Sequence, residues 1–297
     1  MKPLLERIGQ GGVLLADGAM GTLLLDAGLK PGGCPEALNL DRPKLFEKIA
    51  RDYLDAGAEI IQTNTFGASP VKLAAYGLAD RSEEINRSAV QTVRRAIGEQ
   101  AYLCACCGPS GKLLKPYGDT EPAVVEQNYE RQLRALVAAG IDAVNFETMI
   151  DLSEAEIAVK AAKAVAPALT VIATMTFQLT RRGFFTVMGN TVAEAAQRLT
   201  AAGADVVGSN CGNGIEQMVE VAREFRKAGS MPVSIRPNAG IPQLVAGRPS
   251  YPETPEFMAI RIPDLVRAGI SIVGGCCGTT PEHIRAFRAA LNSIRRV

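Results

Sequence analysis

The sequence is poor in histidine, since His283 is the only one among 297 residues. This scarcity excludes most histidine-based metal sites and disfavours acid–base catalysis by histidine. The formal net charge is +1, which gives no electrostatic basis for binding nucleic acid or an anionic membrane. No apolar run approaches membrane-spanning length, and residues 1–7 do not resemble a secretion signal. We therefore expect a cytoplasmic protein without nucleic-acid or membrane partners.

Cysteines are present in an odd number, seven, and five of them fall into two clusters. One cluster is Cys104, Cys106 and Cys107, and the other is the adjacent pair Cys276 and Cys277. In a chain without an export signal, this distribution indicates metal or redox chemistry rather than a disulfide framework.

Eight short apolar runs, rich in valine, isoleucine and alanine, are typical of parallel strands buried on both faces. The runs are Val13–Asp17, Glu59–Thr65, Tyr102–Cys107, Asp142–Thr148, Thr170–Phe177, Asp205–Cys211, Val233–Asn238 and Ile270–Cys276. Helical spacing occupies the segments after them, namely Lys44–Ala56, Ser82–Ile97, Ala123–Ala139, Leu152–Ala164, Val192–Ala202, Ile215–Ala228, Pro255–Ala268 and Pro281–Ile294. Several of these segments close with Ala-Gly, as expected for a helix C-cap.

Eight strand–helix alternations predict an α/β protein with one (β/α)8 TIM-type barrel domain over residues 1–297. A doubly wound open sheet is the alternative, and it would require a reversal in strand order. The barrel also explains why polar residues and cysteines gather at strand ends, because barrel active sites lie at the C-terminal ends of the strands.

The segment from Gly274 to Thr280 places two adjacent cysteines in a glycine frame. Neighbouring side chains of a regular strand face opposite ways, so Cys276 and Cys277 can share one site only where the backbone leaves that geometry. Cys211 ends a strand on the same rim and would complete a set of three thiols. Three protein ligands with one open position are typical of catalytic zinc. Three buried free cysteines are the alternative interpretation.

Zinc held by three thiolates would form a negatively charged centre that accepts a further thiol and lowers its pKa. The excess negative charge would keep that thiolate nucleophilic. We therefore interpret Cys211, Cys276 and Cys277 as catalytic metal ligands, in a site suited to alkyl transfer to sulfur.

The segment Asp17-Gly18-Ala19 follows the first strand, where backbone N–H groups at a helix start can hold a substrate carboxylate. An ordinary turn capped by Asp17 is the alternative. Glu147 ends the fourth strand and is a candidate for binding a substrate ammonium group, or else an ion-paired rim residue. Asn210 and Asn238 are candidates for orienting a ligand cysteine or touching substrate, with turn formation as the alternative.

The second cysteine cluster occupies the end of the third strand. Cys104 and Cys106 share one face of an extended strand, and Cys107 lies on the other. We interpret these residues as small buried side chains or as an exposed redox-sensitive thiol, and we do not expect a second metal site. Cys34 is interpreted as a loop thiol.

Six motifs, taken together, carry a resemblance to a known family. They are Asp17-Gly18-Ala19-Met20-Gly21-Thr22, Cys34-Pro35-Glu36-Ala37-Leu38-Asn39-Leu40, Thr63-Asn64-Thr65-Phe66-Gly67, Asn210-Cys211-Gly212, Pro237-Asn238-Ala239-Gly240 and Gly274-Gly275-Cys276-Cys277-Gly278-Thr279-Thr280-Pro281. The chain resembles the homocysteine S-methyltransferases, most closely the N-terminal homocysteine-binding barrel of cobalamin-dependent methionine synthase. The resemblance implies a zinc site at Cys211, Cys276 and Cys277, with the homocysteine sulfur as a further ligand. It also implies that Asp17, Gly18 and Glu147 hold the amino-acid end of homocysteine.

Two departures from the family pattern bear on the methyl donor. The third strand ends Cys106-Cys107-Gly108-Pro109, where family members more often carry an Ile-Gly-Pro type of turn. The Asp-x-His-x-x-Gly pattern of cobalamin-binding modules is absent, since Pro281 stands two places before His283. We therefore expect the donor to come from outside the chain.

The leading hypothesis is a zinc-dependent methyltransferase that makes methionine from homocysteine, with a separate methyl-corrinoid protein as donor. The alternatives are S-methylmethionine or another sulfonium donor, and a thiol acceptor other than homocysteine. A non-catalytic zinc- or thiol-binding scaffold for a corrinoid partner and a redox sensor using Cys104, Cys106 and Cys107 are hypotheses of a different kind.

Overall fold

Eight parallel strands form a ring in which each strand is paired with its neighbours along the chain. The computed structural model describes residues 1–30, 32–245 and 248–294. The first to eighth barrel strands are Leu14–Leu15, Ile60–Gln62, Tyr102–Cys107, Ala143–Met149, Thr170–Met175, Val206–Asn210, Val233–Arg236 and Ile272–Val273.

Two contacts close the ring. The first strand pairs with the eighth through Leu14 and Ile272, and a parallel bridge between Ala16 and Ile60 joins it to the second. The strand order therefore follows the chain without a reversal. This order confirms the predicted (β/α)8 barrel and excludes the doubly wound open sheet.

Helices alternate with the strands and pack against their outer faces. The helices are Leu4–Gly9, Gly21–Asp26, Leu38–Asp41, Pro43–Asp55, Pro70–Leu73, Ser82–Ile97, Pro122–Ala139, Leu152–Val165, Val192–Ala202, Ile215–Ala228, Pro255–Ala259, Ile262–Arg267 and Pro281–Ile294, with 3-10 turns at Ala74–Tyr76 and Ala79–Arg81. Gly140 and Gly203 end two of them in the left-handed conformation, as predicted for C-caps. In the part of the chain that the structure describes, no helix combines the length and apolarity needed to cross a membrane.

The predicted helix Pro255–Ala268 is wrong as a single element, because the structure divides it into Pro255–Ala259 and Ile262–Arg267. Pro263 lies in the first turn of the second helix. It lacks a backbone N–H, and its ring would clash with the carbonyl of Ala259 in a continuous helix. The division therefore follows from one proline.

Two antiparallel hairpins on the rim are not predicted from the sequence. Gln178–Thr180 pairs with Gly183–Phe185 after the fifth barrel strand. Gln243–Val245 pairs with Arg248–Ser250 after the seventh. Both hairpins belong to strand–helix connections at the C-terminal end of the barrel, where loops carry function in this fold.

Side chains of the barrel strands alternate between two apolar layers. Leu14 and Cys104 point into the barrel, whereas Leu15 and Cys107 pack between the strands and the helices. This alternation confirms the predicted opposite facing of Cys104 and Cys107. Cys104, Cys106 and Cys107 are 1%, 6% and 0% exposed, so the exposed-thiol interpretation of this cluster is wrong. Burial raises the pKa of all three thiols, which disfavours the reactive thiolate.

Candidate metal and substrate site

Three cysteine sulfurs converge where the sixth and eighth barrel strands end. The Sγ atoms of Cys211, Cys276 and Cys277 all lie within 4.8 Å of one another, and those of Cys211 and Cys277 are 3.9 Å apart. Two sulfurs bound to one tetrahedral zinc ion at about 2.3 Å would be separated by about 3.8 Å. The spacing and the donor type therefore fit zinc, with room for a fourth ligand.

The backbone of both ligand segments leaves regular strand geometry. Cys211 has a φ angle of 60°, in the left-handed region that residues other than glycine rarely occupy, and its N–H donates to the Arg236 carbonyl at 3.2 Å. A side chain at Gly275 would place its Cβ 2.1 Å from Thr279 Oγ1, so only glycine fits before Cys276. These local constraints point three sulfurs toward one centre.

The three thiols differ in pKa because they hydrogen-bond to one another. Hydrogen bonds from Cys276 and Cys277 lower the pKa of Cys211 to about 3. The hydrogen bond to Cys211 raises the pKa of Cys276 to about 11, and it raises the pKa of Cys277 as well. One sulfur is therefore a thiolate at neutral pH, and a metal would displace the protons of the other two.

Asn210 and Asn238 contact the ligand cysteines. Asn210 Nδ2 lies 3.6 Å from Cys276 Sγ, and Asn210 Oδ1 accepts the Thr148 N–H at 2.7 Å. The Asn238 side chain hydrogen-bonds to Cys211, and its buried Oδ1 has no hydrogen-bond partner among the described residues. Their positions suit the orientation of sulfur ligands, and their contact with substrate stays a prediction.

A cavity of about 310 Å³ opens beside the sulfurs. Its lining includes the three cysteines and the four predicted substrate residues Asp17, Gly18, Ala19 and Glu147, but not Asn210 or Asn238. The structure thus places the predicted metal ligands and the predicted amino-acid end of the substrate in one space.

Asp17 is buried at the end of this cavity, with both carboxylate oxygens engaged. Oδ2 accepts the Gln62 N–H at 2.7 Å, and Oδ1 lies 2.6 Å from Arg236 Nη2. Burial raises the pKa of Asp17 to about 6, against the lowering effect of Arg236. Both carboxylate oxygens are therefore held by the protein itself.

The residues after Asp17 are tightly enclosed. A Cβ at Gly18 would lie 2.7 Å from Thr279 Oγ1 and 2.8 Å from the Tyr53 hydroxyl, so glycine is required there. The Ala19 N–H donates to Thr279 Oγ1 at 3.1 Å. The Ala19 N–H is one of the backbone donors expected to bind a substrate carboxylate, and this bond already occupies it.

Glu147 also lines the cavity, and its side chain is 15% exposed, compared with 3% for Asp17. Its Oε2 accepts from Gln62 Nε2 and Asn145 Nδ2, each at 2.8 Å, and lies 3.4 Å from Arg236 Nη1. The Cys106 thiol also hydrogen-bonds to it, so this member of the second cysteine cluster borders the substrate space. These donors fix the orientation of Glu147 toward a ligand.

Several residues of the site are missed by the sequence analysis above. Arg236 and Gln62 join the two carboxylates, and Tyr251 hydrogen-bonds to Cys277 from the segment after the second hairpin. A signal existed for Arg236, because a charged side chain interrupts an apolar strand. Gln62 and Tyr251 carry no comparable signal, since their role depends on contacts between distant segments.

Comparisons with known proteins find similar sequences and structures over nearly the whole chain. The family model described as "Homocysteine S-methyltransferase" matches residues 14–291. Methionine synthase of Mycobacterium tuberculosis is 35% identical over 96% of this chain, and methionine synthase of Mycobacterium leprae is 35% identical over 97%. The chain spans about a quarter of the length of each of these relatives, because the alignments cover 25% of them.

A solved structure shares the fold. The homocysteine methyltransferase MmuM from Escherichia coli in its metallated form superposes with a TM-score of 0.78 at 23% identity, covering 97% of this chain and 99% of that chain. The oxidised form superposes with a TM-score of 0.79. At this level of identity the likeness supports the barrel architecture.

Proposed function

We propose, from the premise that the chain belongs to the homocysteine S-methyltransferase family, that residues 1–297 form one barrel that methylates the thiol of homocysteine to give methionine. The convergence of three sulfurs beside a cavity that contains Glu147 carries this proposal. The sulfurs supply a metal site, and the carboxylate supplies an ammonium site, within one volume suited to a small amino acid.

Zinc is the metal we propose for Cys211, Cys276 and Cys277, since the donor set and spacing fit it. When bound, zinc would hold the homocysteine thiol and lower its pKa, so that the attacking sulfur is a thiolate at neutral pH. Asn210 and Asn238 orient the protein sulfurs through the contacts described above.

The amino-acid end of homocysteine is held, in this proposal, at the opposite side of the cavity. Glu147 accepts hydrogen bonds from the substrate ammonium group, and its own three nitrogen contacts keep it in position. The backbone of Gly18 and of the turn into the helix Gly21–Asp26 lines the cavity and is the proposed site of the carboxylate. With its ammonium and carboxylate groups held in this way, homocysteine would extend its thiol to the three cysteine sulfurs in a fixed orientation.

A methylated corrinoid protein is the donor we propose, and the surface of the rim supports a protein partner. Exposed apolar side chains lie in the connections that follow the barrel strands, namely Leu25, Leu113, Tyr117, Ile150, Leu179, Val187, Ile241 and Leu244. We propose that these side chains contact the protein donor. The free thiols suit a reducing compartment, so we propose the cytoplasm. S-methylmethionine or another sulfonium donor is the alternative.

Methionine formation tests the proposal directly. The zinc-loaded protein is incubated with homocysteine and either methylcobalamin or S-methylmethionine, and methionine is measured against an enzyme-free control. Methionine above that control with methylcobalamin supports a corrinoid donor, and methionine with S-methylmethionine alone supports the sulfonium alternative. A zinc-loaded protein that neither binds homocysteine nor yields methionine with either donor would overturn the proposal.

The variant Cys276→Ala should lose zinc binding and methionine formation together, because two sulfurs remain where three are needed. We expect the dissociation constant for zinc to rise more than about 100-fold, since loss of a supporting contact alone commonly costs about 10- to 100-fold. Cys104→Ala is the matched control, as Cys104 is buried inside the barrel and is not one of the three converging thiols. Full activity in Cys276→Ala would contradict the zinc mechanism.

A further inference from the structure

Arg236 joins the metal ligands to the substrate end of the cavity. It ends the seventh barrel strand, which lies between the two strands that carry the sulfurs, and it is 5% exposed. Its backbone carbonyl accepts the N–H of Cys211 at 3.2 Å, and its guanidinium Nε donates to the Gly275 carbonyl at 3.1 Å. One residue therefore contacts both segments that carry the cysteine ligands.

The same guanidinium holds the two carboxylates of the substrate end. Nη2 donates to the backbone carbonyl of Asp17 at 3.2 Å and to Asp17 Oδ1 at 2.6 Å. Nη1 lies 3.4 Å from Glu147 Oε2 and also donates to the Gln62 side-chain oxygen. With Gly275, these acceptors match the five N–H donors of a guanidinium in number.

This saturation excludes a simple role in binding substrate. A guanidinium whose donors are all taken has none left for the carboxylate of an incoming amino acid. The positive charge of Arg236 instead sets the net charge at the substrate end of the cavity. Asp17, Glu147 and Arg236 together carry a net charge of −1 when both acids are ionised. One ammonium group from a ligand would balance that charge without displacing the arginine.

We propose that Arg236 is a positioning residue, which fixes the distance between the sulfur ligands and the carboxylates that receive the substrate. The inference rests on the proposed zinc and amino-acid sites. The planar fork allows one side chain to hold Gly275, Asp17 and Glu147 at once, a geometry that the single ammonium of lysine does not reproduce. Loss of the fork removes the side-chain donor of the Gly275 carbonyl and leaves the peptide group before Cys276 held through its N–H alone, which donates to the Pro237 carbonyl at 2.8 Å, while every sulfur is kept.

Zinc affinity measured with a chromophoric chelator is the first readout, in wild type, Arg236→Lys and Arg236→Met. We expect the dissociation constant for zinc to rise roughly 10- to 100-fold in both variants, as for other residues that support metal ligands. Cobalt substitution is the second readout, and we expect the sulfur-to-cobalt bands to shift in both variants because the ligand geometry changes.

Homocysteine affinity separates the charge of Arg236 from its geometry. Arg236→Lys keeps a cation beside Asp17 and Glu147, so its affinity for homocysteine should fall less than that of Arg236→Met. Arg236→Met also leaves two carboxylates without a cation and is expected to destabilise the fold. Arg236→Lys keeps a cation beside both carboxylates and avoids this destabilisation, so its zinc affinity and cobalt spectrum remain the decisive measurements.

Arg288 offers a matched control at the opposite end of the barrel. Its guanidinium likewise binds a glycine carbonyl, that of Gly57, and a carboxylate, Glu59, and these hydrogen bonds involve neither segment that carries the sulfur ligands. Arg288→Met should lower thermal stability while zinc affinity and the cobalt spectrum stay unchanged. Wild-type zinc affinity and spectrum in both Arg236 variants would overturn the inference. Failure of the wild type to bind zinc would instead overturn the proposed function.

Discussion

At the residue scale, Asp17 and Glu147 differ in how fully protein hydrogen bonds engage their carboxylate oxygens. Asp17 is 2% exposed, and its two carboxylate oxygens accept hydrogen bonds from the Gln62 N–H and from Arg236 Nη2. The side chain of Glu147 is more exposed. The nitrogen atoms of Gln62, Asn145 and Arg236 that contact it all contact Oε2. The resemblance assigns both residues to the amino-acid end of homocysteine. The contacts suggest a division, in which Glu147 meets the ligand and Asp17 holds Arg236.

Glu147→Gln should weaken homocysteine binding while zinc binding is kept. The change removes the charge that an ammonium group needs, and charged hydrogen bonds of this type contribute about 1.5–3 kcal/mol. We therefore expect an affinity loss of roughly 10- to 100-fold, measured by calorimetry on the zinc-loaded protein. None of the contacts of Glu147 described above involves a metal-binding sulfur, so the zinc content should equal that of wild type.

A ligand without the amino group provides the control for this prediction. The compound 4-mercaptobutanoate has the thiol and carboxylate of homocysteine but no ammonium, so Glu147→Gln should not weaken its binding. An equal loss of affinity for both ligands would contradict the assigned role of Glu147. It would indicate instead that the substitution disturbs the cavity as a whole.

Individual site residues were predictable from the sequence to different degrees. The vicinal pair Cys276 and Cys277 could be assigned because adjacent cysteines in a glycine frame are unusual in a packed core. Cys211 followed from its place at a strand end. Arg236 gave a signal as a charge within an apolar strand, but its role could not be assigned, because its partners Asp17 and Gly275 are distant in sequence and meet only when the barrel closes. Spacing along the chain contains no information on such contacts.

At the element scale, strand interiors were easier to predict than the connections between them. Runs of buried apolar residues identify all eight barrel strands, since each strand is covered on both faces. The two rim hairpins carry no such pattern, because the side chains of Gln178–Thr180, Gln243 and Leu244 are exposed and need not alternate. Their pairing depends on local turns and on the surface below them. The rim of a barrel is therefore the part that sequence periodicity describes least.

These hairpins give a test of the proposed protein donor. Leu179 on the first hairpin and Leu244 on the second are 56% and 80% exposed. The double variant Leu179→Ser/Leu244→Ser should raise the KM for a methylated corrinoid protein roughly tenfold, since fully burying one leucine side chain contributes about 1.5–3 kcal/mol. The rate with free methylcobalamin should not change.

Ile260→Ser is the control for this surface test. Ile260 is 65% exposed and lies between the two short helices Pro255–Ala259 and Ile262–Arg267, outside both hairpins. It should leave the KM for the protein donor unchanged. If the hairpin variant lost activity equally with the protein donor and with free methylcobalamin, the hairpins would affect the active site rather than docking.

At the scale of the whole molecule, the metal site is an addition to a fold that is complete without it. The ring of strands closes through the Ala16–Ile60 bridge, and the outer apolar layer extends around all eight strands. The sulfurs come from only two segments, near the ends of the sixth and eighth strands. A zinc ion at this proposed site would connect parts of a barrel that hydrogen bonds already hold together.

Removal of zinc should therefore lower thermal stability without unfolding the protein. At a free zinc concentration 100 times the dissociation constant, binding to the native state alone contributes about 2.7 kcal/mol. For a chain of this size, that energy corresponds to a rise in Tm of several degrees. Calorimetry of the chelator-treated and zinc-loaded protein, with far-ultraviolet circular dichroism, measures both effects. Cys276→Ala should show the lower Tm in either condition. An apo protein without helical signal would mean that zinc organises the barrel itself, as it does in small zinc-dependent domains.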